Sequence, residues 1–161
     1  MKLIPIFERP DYAQILWALL AEREPHVNIS HKEMPTWDEH KRFVEGRPYY
    51  DWRFIEVDGV IVGSVYLTYG VELGIHLFKV NQGLGYGPRA IQSMMQVNGL
   101  NRRYLANVAP GNEASKRMWE KLGFTKIQET FALDNRESFS SGFWPREKIS
   151  VAEALKRWPS T

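Results

Sequence analysis

The chain has no cysteine. That excludes a disulfide framework, a thiolate metal site and a cysteine nucleophile, and it permits a reducing compartment. Its four histidines, His26, His31, His40 and His76, show no paired ligand spacing, so no metal is expected. No apolar run approaches the roughly 18 residues that a membrane span requires, and Met1 to Pro10 lacks both a long apolar core and a small-residue cleavage site. The expectation is a cytoplasmic protein with no membrane partner. An excess of one charge is missing too, since 21 Lys and Arg stand against 19 Asp and Glu, a formal charge of +2. Basic residues cluster only in Asn101-Arg102-Arg103 and Ser115-Lys116-Arg117, too weak a pattern to argue for nucleic acid.

What is present suits one domain over residues 1–161: that length, at 43% hydrophobic content, is enough for a single core. Six Trp, seven Tyr and eight Phe exceed the needs of a minimal scaffold and leave some to line a ligand cleft.

Leu3 to Phe7 reads as a strand, and Asp11 to Glu24 repeats apolar residues at helical spacing. Thr36 followed by Glu39 makes a capping box for a helix over Trp37 to Val44, which stops at Gly46. The runs Trp52 to Val57 and Val60 to Leu67 flank Asp58-Gly59, a strong hairpin signal. A strand over Glu72 to Val80, a glycine cluster over Gln82 to Gly87 and a helix over Pro88 to Val97 follow. Arg103 to Val108 reads as a strand, Asn112 to Leu122 as a helix and Phe124 to Leu133 as another strand. Ser138 to Gly142 is a small-residue loop, Phe143 to Ile149 a last strand, and Ser150 caps a terminal helix over Val151 to Arg157. This order predicts an α+β fold: a central mixed, mostly antiparallel sheet of about six to seven strands, flanked by helices on both faces.

The informative stretch is Val80-Asn81-Gln82-Gly83-Leu84-Gly85-Tyr86-Gly87-Pro88-Arg89-Ala90, between a strand and a helix. Alternate glycines let the backbone approach a ligand, and successive N–H groups at a helix N-terminus cradle phosphate oxygens. Pro88 lacks an N–H where the helix would leave one unpaired anyway. Taken alone, the stretch also fits a tight strand-to-helix connection without a ligand. No Gly-Lys-Ser/Thr follows, which argues against a kinase-type P-loop, and the repeated parallel units of a dinucleotide fold are absent.

Here the sequence resembles the GNAT superfamily of N-acetyltransferases, whose acetyl-CoA loop reads Gln or Arg, two residues, Gly, any residue, then Gly or Ala. Gln82, Gly85 and Gly87 stand in those places. A second signature also matches, with Asn107 to Phe124 carrying an Asn that opens a helix ending in Lys121-Leu122-Gly123-Phe124. The resemblance implies that two strands splay apart to admit the pantetheine arm of acetyl-CoA. Leu77, Phe78, Lys79 and Val80 would then offer main-chain partners, and Gln82, Gly83, Leu84, Gly85, Tyr86, Gly87 and Arg89 the phosphate cradle. Asn107, Asn112, Ser115 and Trp119 would lie along the arm. Asn112 also reads as a simple helix cap, and Ser115 as a surface residue.

Acetyl transfer to an amine needs the nucleophile neutral, although an alkylammonium has a pKa of about 10, so a base must take a proton. By resemblance Glu72 is the candidate base and His76, on the same strand face, the alternative; a solvated strand-end glutamate and a packed core histidine are the other readings. A backbone N–H near Leu77 or Phe78 would hold the oxyanion. Many relatives use a tyrosine of the second signature helix as the acid, but Trp119 stands there, which leaves Ser115 as the nearest hydroxyl.

For the acceptor, the segment Glu22 to Tyr50 offers Trp37, His40, Tyr49 and Tyr50 as a wall, although Trp37, His40 and Phe43 also fit one packed helix face. The order Arg, Ile-Ser, Trp-x-x-His-x-x-Phe-Val resembles acetyltransferases of amino-sugar nucleotides and of ribosomal-protein N-termini. The expected partner is thus a small-molecule amine or a protein N-terminus, with the protein a monomer or homodimer. Two other readings stay open. One is a catalytically weak CoA-binding sensor or scaffold, which the missing tyrosine favours. The other is an acetyltransferase of a modified nucleic-acid base, with Arg102, Arg103, Lys116, Arg117 and Lys121 as a basic rim.

Overall fold

The protein is described from a computed structural model, which covers residues 1–23 and 33–130. The expected segments Ser138 to Gly142, Phe143 to Ile149 and Val151 to Arg157 lie outside the described residues, as does the end of the strand expected to reach Leu133. Four strands, β1 (Lys2–Pro5), β2 (Asp51–Val57), β3 (Val60–Leu67) and β4 (Leu73–Leu77), pair antiparallel in sequence order. The helices are α1 (Tyr12–Ala21), α2 (Trp37–Glu45), α3 (Tyr86–Asn98) and α4 (Glu113–Lys121), and Met1–Thr125 form one unit. Among the described residues no helix is long and apolar enough to cross a membrane.

Local chemistry explains the elements. Asp58 and Gly59 both take positive φ, 50° and 83°, as a tight turn with right-handed strand twist demands. Thr36 Oγ1 accepts from the Glu39 amide at 3.3 Å while Glu39 Oε2 accepts from the Thr36 amide at 2.8 Å, the reciprocal cap that starts α2. Adjacent residues of β2 then serve opposite faces. Phe54 is buried with Ile6, Leu16, Leu19 and Val44 under α1 and α2, whereas Ile55 is buried with Val65, Leu67, Leu73, Ala90, Ile91, Met94 and Trp119 under α3 and α4. A bulge sharpens this division: Ile55 pairs with Gly63 but Glu56 pairs with Ile61, so Val62 is an extra residue and Ile61 joins the first cluster instead of the second.

Two expected strands differ. Arg103 to Val108 forms no strand; only Leu105 pairs, by one parallel bridge to Glu72. Phe124 to Thr130 has no strand either; Phe124 instead packs its ring edge-on against Trp119 at 4.9 Å. Both stretches have the apolar content of strands, but neither finds an adjacent edge among the described residues to supply the ladder, and strand pairing needs a partner before propensity counts.

The register of β3 on β4 rests on one close approach. A Cβ on Gly63 would sit 2.3 Å from the His76 carbonyl oxygen and 2.9 Å from the Leu77 Cα. Gly63→Ala must therefore push the two strands apart, and we expect it to lower unfolding free energy by about 2 kcal/mol or more, measured by urea denaturation. A loss below about 0.5 kcal/mol would show that the pair has slack.

Candidate active site

Among the described residues β4 pairs with a strand, β3, along one edge only. On its other edge the Leu73 amide donates to the Leu105 oxygen at 2.8 Å and the Leu105 amide to the Val71 oxygen at 3.0 Å. Beyond this bridge the two segments have no pairing. Strand alternation then fixes which groups face the opening: Leu73 points outward, so Ile75 and Leu77 do too, while the Phe78 amide points back to the Val62 oxygen at 3.0 Å. The bridge is bought with strain, because Val71 holds φ at 62°, a conformation costly for a β-branched residue.

Past Leu77 the chain makes a 3₁₀ turn over Lys79–Asn81 and reaches the glycine loop. The Phe78 carbonyl accepts from the Asn81 amide, the Lys79 carbonyl from the Gln82 amide and the Leu77 carbonyl from Gln82 Nε2, at 2.8, 3.2 and 3.1 Å. Gly83 and Gly85 have φ of 75° and 78° with open space around their Cβ positions. Gly85 is the N-cap of α3, which begins at Tyr86, two residues before the expected Pro88. Pro88 still falls in the first turn, where helical amides have no internal partner. The amides of Gly83, Leu84 and Gly85 have no backbone acceptor among the described residues, so five successive N–H groups from Gly83 to Gly87 are available to an anion.

On the α1 and α2 side of the sheet lies a cleft of about 1100 Å³. Glu72, Gly74 and His76 line its floor with Ser64 and Tyr66, and Asn107, Asn112, Ser115 and Trp119 reach it from beyond the opening. Glu72 is held from two sides. Asn107 Nδ2 donates to its Oε1 at 2.9 Å, and Thr68 Oγ1 accepts from its amide at 3.0 Å and stands 3.5 Å from Oε2. His76 has no side-chain hydrogen bond among the described residues. Burial, then the Arg23 charge, push its imidazole down to about 4, against a weaker upward pull from Glu22, so it is uncharged at neutral pH. Tyr66 lies over Gly74, where any Cβ would fall 2.1 Å from its ring, and stacks on Tyr49 at 4.1 Å and 8°. Burial, followed by the neighbouring Tyr66, holds the Tyr49 phenol well above its ordinary range.

Several expected site residues take other places. Trp37 and Tyr50 do not line the cleft: Trp37 packs on Trp17 at 5.4 Å, and Tyr50, 59% exposed, packs on Tyr69 at 5.9 Å. His40 borders the cleft but is fixed by Nε2 to the Ala13 carbonyl at 2.9 Å, tying α2 to α1. Asn107 braces Glu72, and Asn112 caps α4 by accepting from the Ser115 amide at 3.0 Å. Trp119 is a core residue, 6% exposed. Arg89 is exposed on the first turns of α3, and Val80 is 83% exposed beside the loop. The sequence reading missed Ile75, Thr68, Tyr66, Ser64 and Arg23. Period-two alternation from Glu72 and His76 is the signal that would have found Ile75 on the open edge, and pairing across the Asp58-Gly59 hairpin frame the one for Ser64 and Tyr66.

Comparison with known proteins bears on the fold and the family. No curated protein matches the sequence significantly. Among solved structures, a spermidine N-acetyltransferase SpeG chimera from Vibrio cholerae and hSSAT shares 20% identity with a TM-score of 0.62, over 80% of this chain and 84% of that one. The acetyltransferase that modifies the N-terminal serine of ribosomal protein L7/L12 in Salmonella typhimurium shares 18% at 0.58, over 77% and 85%. YncA from Salmonella typhimurium, solved with its cofactor acetyl-CoA, shares 19% at 0.57, over 77% and 78%. At these identities the likeness speaks to the fold alone. The model of the acetyltransferase (GNAT) domain family matches residues 2–125, and the chain therefore belongs to the GNAT family of acetyltransferases.

Proposed function

We propose that the protein moves the acetyl group of acetyl-CoA to a primary amine of a small molecule or of a protein N-terminus. The observation that carries this reading is the outward-facing, unpaired edge of β4 at Ile75 and Leu77, with a braced carboxylate at one end and five available amides at the other. The amides of Gly83 to Gly87 hold the pyrophosphate, and the pantetheine arm runs along the edge in the place a neighbouring strand would take. The Phe78 amide is committed to Val62, so the Leu77 amide is the donor for the oxyanion.

Glu72 accepts the proton of the attacking amine as its nitrogen bonds the thioester carbon. The C–S bond then breaks, and the proton returns to the departing sulfur, a leaving group with a pKa of about 8.5 that needs only a hydrogen bond to help it. Ser115 supplies that hydrogen bond from α4. No phenol is required, which fits a buried Trp119 at the position where relatives carry tyrosine.

Glu72→Gln and Ser115→Ala are each expected to lower kcat by more than about tenfold in thiol-release assays while leaving the Kd for acetyl-CoA within about twofold. Full turnover in both variants would remove these residues from the chemistry; tight CoA binding with no transfer to any amine would favour a sensor. Gly85→Val forces a β-branched residue to φ near 78° at the cradle and should weaken CoA binding by at least about tenfold in calorimetry. Unchanged affinity would move the pyrophosphate elsewhere.

The neutral His76 also sets a pH dependence. Its folded pKa, about 4, lies below the value of 6.5 for the free side chain, so the unfolded chain binds more protons between those values. Stability from this group is fully present above about pH 6.5 and is lost as the pH falls toward 4, by at most about 3 kcal/mol. His76→Gln should remove that slope, read as the difference between native and variant urea midpoints from pH 7 to 4.5. Parallel curves would contradict it.

A further inference from the structure

On the acceptor side of the cleft three groups able to donate, on Ser64, His76 and Arg23, lie near one another, with the Glu33 carboxylate also on the cleft lining. Ser64 is 4% exposed and is the cross-strand neighbour of His76, so the two side chains share the face that lines the cleft. Neither side chain has a hydrogen-bond partner among the described residues. Arg23, at the end of α1, lines the same cleft and is close enough for its charge to act on Tyr49, Tyr66 and His76 together.

Arg23 forms no ion pair among the described residues. Three of the nearby carboxylates are otherwise engaged, since Glu22 Oε2 accepts from the Lys79 amide at 2.8 Å, Glu39 is held by Thr36 and Glu72 by Asn107, while Glu33 lines the same cleft without an ion pair to Arg23 among the described residues. Arg23 is also the only Lys or Arg on the cleft wall among the described residues. A guanidinium carries several donors and no acceptor, and Ser64 and an uncharged imidazole can each add a donor, so the complementary ligand group is an oxyanion. The flat Tyr49 and Tyr66 pair lies beside it and offers a face for the carbon frame that joins such a group to an amine.

We infer that Arg23, Ser64 and His76 form a subsite for an anionic group, so that the amine acetylated by this protein also bears a carboxylate or a phosphate. This rests on the acetyl-transfer reading above and narrows its acceptor. A polyamine such as the spermidine in the name of one structural neighbour is disfavoured here, because its extra ammonium groups would meet an unpaired arginine.

The test uses the full chain and matched amines: 4-aminobutyrate against 4-aminobutyramide, O-phosphoethanolamine against ethanolamine, and spermidine. At least one anionic amine should exceed its neutral partner by about tenfold or more in kcat/KM, the pair that does so telling carboxylate from phosphate. Arg23→Gln should cut that preference to within about threefold, while Arg23→Lys, which keeps the charge, retains part of it. Preference for the neutral amines or spermidine, or a ratio unaffected by Arg23→Gln, would overturn the subsite. Calorimetry of the same amines with the CoA-loaded protein separates the two claims. Selective binding of the anionic amine, lost in Arg23→Gln, upholds the subsite even if no amine is acetylated and the transfer reading falls; transfer without charge selectivity in rate or binding sinks the subsite alone, and the absence of both sinks both.

Discussion

One pair of backbone hydrogen bonds, between Leu105 and its partners Leu73 and Val71, governs the site. It anchors the segment after α3 to the start of β4 and then ends, so that among the described residues the rest of the β4 edge has no strand beside it. Had the pairing continued, the amides of Ile75 and Leu77 would be spent in a ladder and the edge closed. Val71 at φ 62° marks where the chain bends to make that single contact, and strain kept next to a candidate base is the pattern expected where backbone shape serves function.

From that edge the two halves of the chemistry separate. Beyond Leu77 the chain provides amides without side-chain interference, suited to a diphosphate. On the opposite face of the sheet from α3, the alternation that sends Leu73, Ile75 and Leu77 into or along the core cluster sends Glu72, Gly74 and His76 into the cleft. The Val62 bulge carries the same division across to β3, where Ser64 and Tyr66 face the cleft and Val65 and Leu67 the core. Burial then tunes the cleft: the low-dielectric floor keeps His76 uncharged and Tyr49 protonated, and the proposed base, Glu72, is braced by Asn107 and Thr68.

Much of this was legible in the sequence, for local reasons. Asp58-Gly59 declares its hairpin because both residues tolerate positive φ, Thr36 and Glu39 declare the start of α2 because their side chains cap each other, and Gln82 to Gly87 declare a strand-to-helix turn because glycines alternate there. Glu72 comes from the family resemblance, and period two puts His76 on the same strand face. What was not legible depends on contacts far apart in sequence. Trp37 and Tyr50 look like cleft aromatics until Trp17 and Tyr69 take them as packing partners, and the hydrogen bond from Asn107 to Glu72 joins residues 35 apart in sequence. Arg103 to Val108 reads as a strand because propensity cannot say where an edge will part. Arg23 enters the sequence pattern only as the arginine ahead of Ile-Ser, and its place on the cleft, with no other Lys or Arg among the described lining residues, comes from the fold.

The central claim is that the open β4 edge and the loop beyond it receive the coenzyme through main-chain amides, and residue-resolved hydrogen exchange with and without CoA tests it most directly. The account predicts that CoA slows exchange at Leu77 and from Gly83 to Gly87, while Leu73 and Phe78, already bonded to Leu105 and Val62, stay as they were. Exchange at Leu77 and the glycine loop that is indifferent to saturating CoA would contradict it.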